Sequence, residues 1–142
     1  MTDTQSPLLD SVLNRLHGTQ LPFNARLAER IKHLSVAFAE DYDGRQMSAH
    51  SIVGFIDFLE SAPPSGYPNL TLTPAGDCNA EWHGSHGRKV AIEFLDSGDA
   101  RYLLFRPNPK HPQRIDRLIG TSTIDALAES MAPLAPLTGL AA

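Results

Sequence analysis

His83 and His86 stand three residues apart in the stretch NAEWHGSHGRKVAIEF, with Glu81 before them and Cys78, the only cysteine of the chain, just upstream. Imidazole nitrogens, a thiolate and a carboxylate are the donors of a transition-metal centre. The same groups suit general acid–base chemistry near neutral pH. Either use requires the backbone to aim them at one place.

The alternation around them argues otherwise. Cys78, Ala80 and Trp82 alternate with polar residues, and so do Val90, Ile92 and Phe94. If both triplets face one core, the expected pairs are Trp82–Val90, Ala80–Ile92 and Cys78–Phe94. Gly84 then lies opposite Arg88, leaving Ser85-His86-Gly87 as a three-residue loop with Gly87 at the left-handed position. Successive strand residues point to opposite faces. Cys78 is therefore expected inside with Trp82, as a small buried hydrophobe with no neighbouring base. His83 is expected outside near Lys89, and His86 at the tip. A shared site would require the strand to abandon its pleat, so the expectation is no catalytic residue, no cofactor and no metal. The alternatives are a surface metal site at His83 and His86, or a metal-dependent or small-molecule enzyme using Glu81, His83 and His86.

Other constellations are weaker. Ser85 in HGSHG lacks the glycine spacing and the strand-to-helix turn of a nucleophile elbow. Glu40, Asp41 and Asp43 lack the further ligands of a calcium loop. His50 and Asp57 are seven positions apart on one helix, about 10 Å of rise, too far for a dyad. No phosphate loop or dinucleotide fingerprint is present. Arg106, Lys110, Arg114 and Arg117, with His111, form a basic proline-rich segment read as a loop, either solvated surface or a docking strip for an acidic partner.

The elements that position these residues read as an α+β domain. Apolar residues at helical spacing mark helices at about 7–17, 24–42 and 49–60, with Asn24 and Ser48 as N-caps. The third is apolar around most of its circumference, which places it in the core or in an interface. From Pro68 the period changes to two, giving a four-stranded antiparallel meander at about 68–73, 77–83, 88–96 and 100–106. A helix at about 122–132 follows, capped near Ser122 or Thr123. At 142 residues, with 42% hydrophobic and 20% charged residues, the chain fits one domain, 1–142, with flexible ends at 1–7 and 134–142.

A net charge of −4 argues against general nucleic-acid binding. The absence of a signal-like N-terminus, of a spanning apolar stretch and of a second cysteine leads to the expectation of a cytoplasmic protein with no membrane association.

The fourth strand points to a partner. Tyr102-Leu103-Leu104-Phe105 is apolar throughout, whereas a sheet with one wet face should alternate. A turn at Ser97-Gly98 would put Leu103 and Phe105 with Val90, Ile92 and Phe94, and Tyr102 and Leu104 with Ala91 and Leu95 opposite. A one-residue slip swaps the sets and still leaves apolar groups on both faces. The second face then needs cover from the N-terminal helices, a second copy of the chain or another protein. The resulting expectation is a small soluble protein-binding module, such as the antitoxin, immunity or accessory member of a bacterial two-gene system. Tyr102, Leu104, Ala91, Leu95, Arg106, Lys110, Arg114 and Arg117 are its candidate contacts.

Two resemblances accompany this reading. Pro68-x7-Gly76-x5-Trp82, after a capped apolar helix and before VAIEF, resembles a pattern in small bacterial proteins in which a helix ending in FL leads into a short meander. It implies a bacterial origin and the meander, and it brings no catalytic residues. Leu140-Ala141-Ala142 resembles the end of the bacterial tag that directs stalled translation products to proteolysis, implying a short-lived regulatory protein.

Overall fold

The computed structural model describes residues 7–21, 23–62, 66–84 and 86–130. The expected flexible ends, except Pro7, and the Leu140-Ala141-Ala142 terminus lie outside them. Three helices, α1 (Pro7–His17), α2 (Asn24–Asp41) and α3 (Ala49–Ser61), precede five strands. These are β1 (Asn69–Leu72), β2 (Cys78–His83), β3 (Lys89–Phe94), β4 (Asp99–Pro107) and β5 (Ile115–Thr123). They form one antiparallel sheet in the order β1-β2-β3-β4-β5, so the chain is α+β with five strands where the sequence suggested four. Residues 124–130 are helical, forming α4, whose first turn is capped by Thr123: its Oγ1 accepts the Ala126 N–H at 3.1 Å.

The helices cover one face of the sheet, called inner below. α1 buries Leu9, Val12, Leu13 and Leu16, and α2 buries Leu27, Ile31 and Phe38. α3, apolar nearly all round, lies between α1 and strands β2 and β3, with Ile52, Phe55, Ile56, Phe58 and Leu59 all buried. Phe55 and Phe58 pack on Phe94 with ring centroids 5.4 and 5.7 Å away. Ile124, Leu127 and Ala128 of α4 join the same core. No helix among the described residues is long and apolar enough to cross a membrane.

Two serines tie the α3 N-terminus to the sheet. Ser48 caps the helix by accepting the Ser51 N–H at 3.0 Å. The buried Ser51 hydroxyl accepts the Cys78 N–H at 2.7 Å and donates to the Phe94 carbonyl, so it bridges the pair that ends the β2–β3 ladder. Asn24, expected as a cap, is instead the first residue of α2, and its side-chain amide donates to the carbonyls of His17 and Thr19.

The β2–β3 hairpin has the expected register: Trp82 pairs with Val90, Ala80 with Ile92 and Cys78 with Phe94. The Gly84 N–H donates to the Arg88 carbonyl at 2.9 Å. The turn differs in one respect, because His86 and Gly87 both have positive φ, +57° and +78°. Gly87 suits its positive φ, and a Cβ there would only displace the tip of the exposed Ile115 side chain.

The β3–β4 register is one residue away from the expected one. The Leu95 N–H donates to the Asp99 carbonyl, closing a three-residue loop, Asp96-Ser97-Gly98, where a two-residue turn was expected. Val90 therefore pairs with Leu104, Ile92 with Tyr102 and Ala91 with Leu103. Tyr102 and Leu104 belong to the inner face, with Leu104 6% exposed, and Leu103 and Phe105 to the outer one.

The segment 106–117 is likewise a strand end, a tight turn and a strand start, not a loop throughout. Asn108 holds the turn: its Oδ1 accepts the N–H groups of Lys110 and His111, and its Nδ2 donates to Asp116. Pro107 is tolerated because the ladder alternates. Odd-numbered positions of β4 face β3, which ends at Lys89 opposite Phe105.

Candidate functional site

The pleat separates the residues that first suggested chemistry. Cys78 is 1% exposed on the inner face, where burial, and secondarily the Asp77 charge, push its thiol pKa well up. A thiol so held is not a nucleophile. Glu81 and His83 lie outside, 3.6 Å apart, and Glu81 also faces Lys89 at 3.6 Å. His86 is exposed at the hairpin tip. Among the described residues no group of three or more His, Cys, Asp or Glu side chains could hold a metal ion.

The candidate partner contacts do not share one surface either. Tyr102 and Leu104 are inside, whereas Ala91 is on the outer face and Leu95 lies just past β3. Lys110 and Arg114 are exposed in the 108–114 turn, and Arg117 is exposed on β5 opposite Phe105. Arg106 pairs with Asp116 on the inner side, and its Nε is buried with no hydrogen-bond partner among the described residues. The four cations are thus divided by the pleat and the turn, and form no continuous strip.

What the sheet does present is an outer face of two halves. Over β2, β3 and the start of β4 it is charged, with Glu81, His83, Lys89 and the pair Glu93–Arg101 at 3.5 Å. Across β3, β4 and β5 runs an apolar row, Ala91, Leu103 and Ile119; beside it Phe105 stands opposite the exposed Arg117, with Ile115 beyond. Ile119 is 62% exposed and Ile115 43%, and Leu118 on the inner side is 41% exposed. Among the described residues, three of the five exposed large hydrophobic side chains are therefore on β5.

β5 is also an edge, and the two edges of this sheet are treated differently. β1 has four residues, and the Arg30 guanidinium from α2 donates to its Leu70 carbonyl at 3.1 Å. That carbonyl is one of the groups facing away from β2, because the ladder alternation is set by the Thr73 N–H on the Asp77 carbonyl. β5 has nine residues, pairs with β4 along its whole length without a bulge, and contains no proline. The Asn108 N–H donates to the Arg114 carbonyl, so even-numbered β5 residues bond to β4. The N–H and C=O groups of Ile115, Arg117, Ile119 and Thr121 then point along an edge that no other strand among the described residues pairs with. Gly120 keeps this strand regular by taking the Tyr102 ring across its backbone, where any Cβ would collide with it. Sequence reasoning missed β5, although its four β-branched residues and its spacing from β4 by the Asn108 turn were visible signals.

No protein-family model, no curated protein and no solved structure matches this chain.

Proposed function

We propose that this chain is a protein-binding module that takes its partner as an added strand along β5. The observation that carries the reading is the asymmetry of the edges. One is short and closed by Arg30; the other is long, regular and set with exposed Ile115, Leu118 and Ile119. Unguarded edges of this kind template strand addition, with backbone hydrogen bonds supplying affinity and alternate side chains supplying selectivity. The role of such a module, as antitoxin, immunity or accessory protein of a two-gene system, follows from the partner's identity. Co-expression with the neighbouring gene and native mass spectrometry of the purified complex address that identity.

Ile119→Pro tests the mode of binding. The Ile119 N–H faces the free edge, so proline there removes a docking donor and leaves the β4 ladder intact. Wild-type and substituted chains are used as bait in a lysate of the source cell, and captured proteins are quantified. The reading expects a stoichiometric partner that is lost with Ile119→Pro. Equal capture by both chains would sink it.

A further inference from the structure

We infer that the strand accepted by β5 is the β5 of a second copy, paired antiparallel about a two-fold axis through Ile119. This rests on the reading of β5 as a docking edge and commits it to one occupant.

The hydrogen-bonding pattern restricts how two such edges can meet. Only odd-numbered residues of β5 offer N–H and C=O groups outward, and antiparallel strands exchange hydrogen bonds between directly opposed outward residues. Odd must therefore face odd, which places the axis normal to the sheet and both helical layers on the same side. Among such registers, the one centred on Ile119 overlaps the strand over its full length, because Ile119 is the midpoint of Ile115–Thr123. It sets Ile119 against Ile119, Arg117 against Thr121 and Ile115 against Thr123; the Ile119 and Arg117–Thr121 pairs exchange two hydrogen bonds each, while the Thr123 carbonyl is already held by the Ser122 hydroxyl at the start of α4.

Side-chain chemistry selects the same register. On the outer face the row Ala91–Leu103–Ile119 continues into the second copy's Ile119–Leu103–Ala91, making one apolar stripe across a ten-stranded sheet. On the inner face Leu118 stands over the second copy's Gly120, beside the Tyr102 ring that already crosses that glycine. Asp116 meets the Ser122 hydroxyl, and no like charges are directly opposed. Moving the centre to Leu118 sets Arg117 against Ile119 and Asp116 against Gly120, and leaves the C-terminal end of the strand unpaired. Moving it to Gly120 leaves Ile115 and Asp116 without partners. Charge and apolar matching thus agree with strand length.

The first measurement is mass, by native mass spectrometry and sedimentation at tens of micromolar. The inference expects twice the 15.5 kDa of the chain, with Ile119→Pro and Ile119→Lys each weakening the dimer at least about tenfold. Ile119→Lys retains every backbone donor, and so covers the case in which the proline variant fails to fold. The second measurement is self-cross-linking. In Ile119→Cys the two cysteines face each other about 5.5 Å apart between Cα atoms, within reach of a disulfide. In Ile115→Cys they are eight residues, about 27 Å, apart along the strands. Oxidation is expected to link the first and not the second; the native Cys78 is buried and does not compete.

A wild-type chain that remains at single-chain mass, a dimer indifferent to both Ile119 variants, or cross-linking at Ile115 and not at Ile119 overturns the second copy as occupant. Strand docking itself falls only if, in addition, no captured protein depends on Ile119. A monomer whose captured partner is lost with Ile119→Pro keeps that reading and loses this one.

Discussion

Asp77 holds its carboxyl close to two other acids. It is 7% exposed, and burial raises its pKa above the ordinary carboxylate range, with Glu93 and Asp96 pushing the same way. The backbone N–H of Asp96 and the charge of Arg101 oppose the shift without cancelling it. The native state thus holds the Asp77 proton more tightly than the unfolded chain does. Its contribution to stability is present in acid and is lost as pH rises through the native pKa. At neutral pH the ionised carboxylate destabilises the fold, and Asp77→Asn removes that charge at similar size. Asp77→Asn is expected to be more stable than wild type at pH 7, with the difference shrinking as the pH is lowered toward the unfolded-state value. Urea midpoints at a series of pH values check this; an asparagine variant no more stable at pH 7 contradicts it.

Among the elements, the β2–β3 hairpin was legible and the β4–β5 hairpin was not. Cys78 to Trp82 and Val90 to Phe94 alternate strictly because one side of these strands is buried and the other wet, so pattern and turn length give a single register. In β4, Tyr102 to Phe105 are apolar at every position, and only the loop length can set the face. That loop has one residue more than Ser97-Gly98 suggested, which exchanges Tyr102 and Leu104 for Leu103 and Phe105. β5 carries no clean alternation because both its sides are largely open, and the prolines ahead of it read as loop. Helices α1 to α3 were found close to their actual bounds, since their apolar stripes meet one continuous core. The Asn108 turn is what makes β5 a strand, and it gives an element-scale expectation. Asn108→Ala removes two acceptor contacts and the bond to Asp116, at a cost of about 1–2 kcal/mol. In hydrogen exchange the even-numbered β5 amides should lose protection before those of β2 and β3. Uniform loss across the sheet would show that the turn does not control the hairpin separately.

At the scale of the whole molecule, the inner face of β1 to β4, helices α1 to α3 and α4 share one hydrophobic core, and Cys78 lies within it under α3. Cys78 is 1% exposed, and Ser51 of α3 bonds both strands of its hairpin at this position. Burial has also raised the thiol pKa, so little thiolate is present even if reagent arrives. Labelling of Cys78 by a thiol reagent should therefore proceed through global unfolding. In native buffer the thiol is expected to be inert, and the labelling rate should rise with urea along the slope measured for equilibrium unfolding. Ser51→Ala leaves the Cys78 N–H and the Phe94 carbonyl without the hydroxyl that joins them. The cost of an unmet buried donor, about 1–3 kcal/mol, corresponds to labelling roughly 5–150-fold faster at a given urea concentration. A shallower urea slope would mean that α3 lifts from the sheet locally, dividing the core. An unchanged rate in Ser51→Ala would mean that this hydroxyl does not hold helix and sheet together.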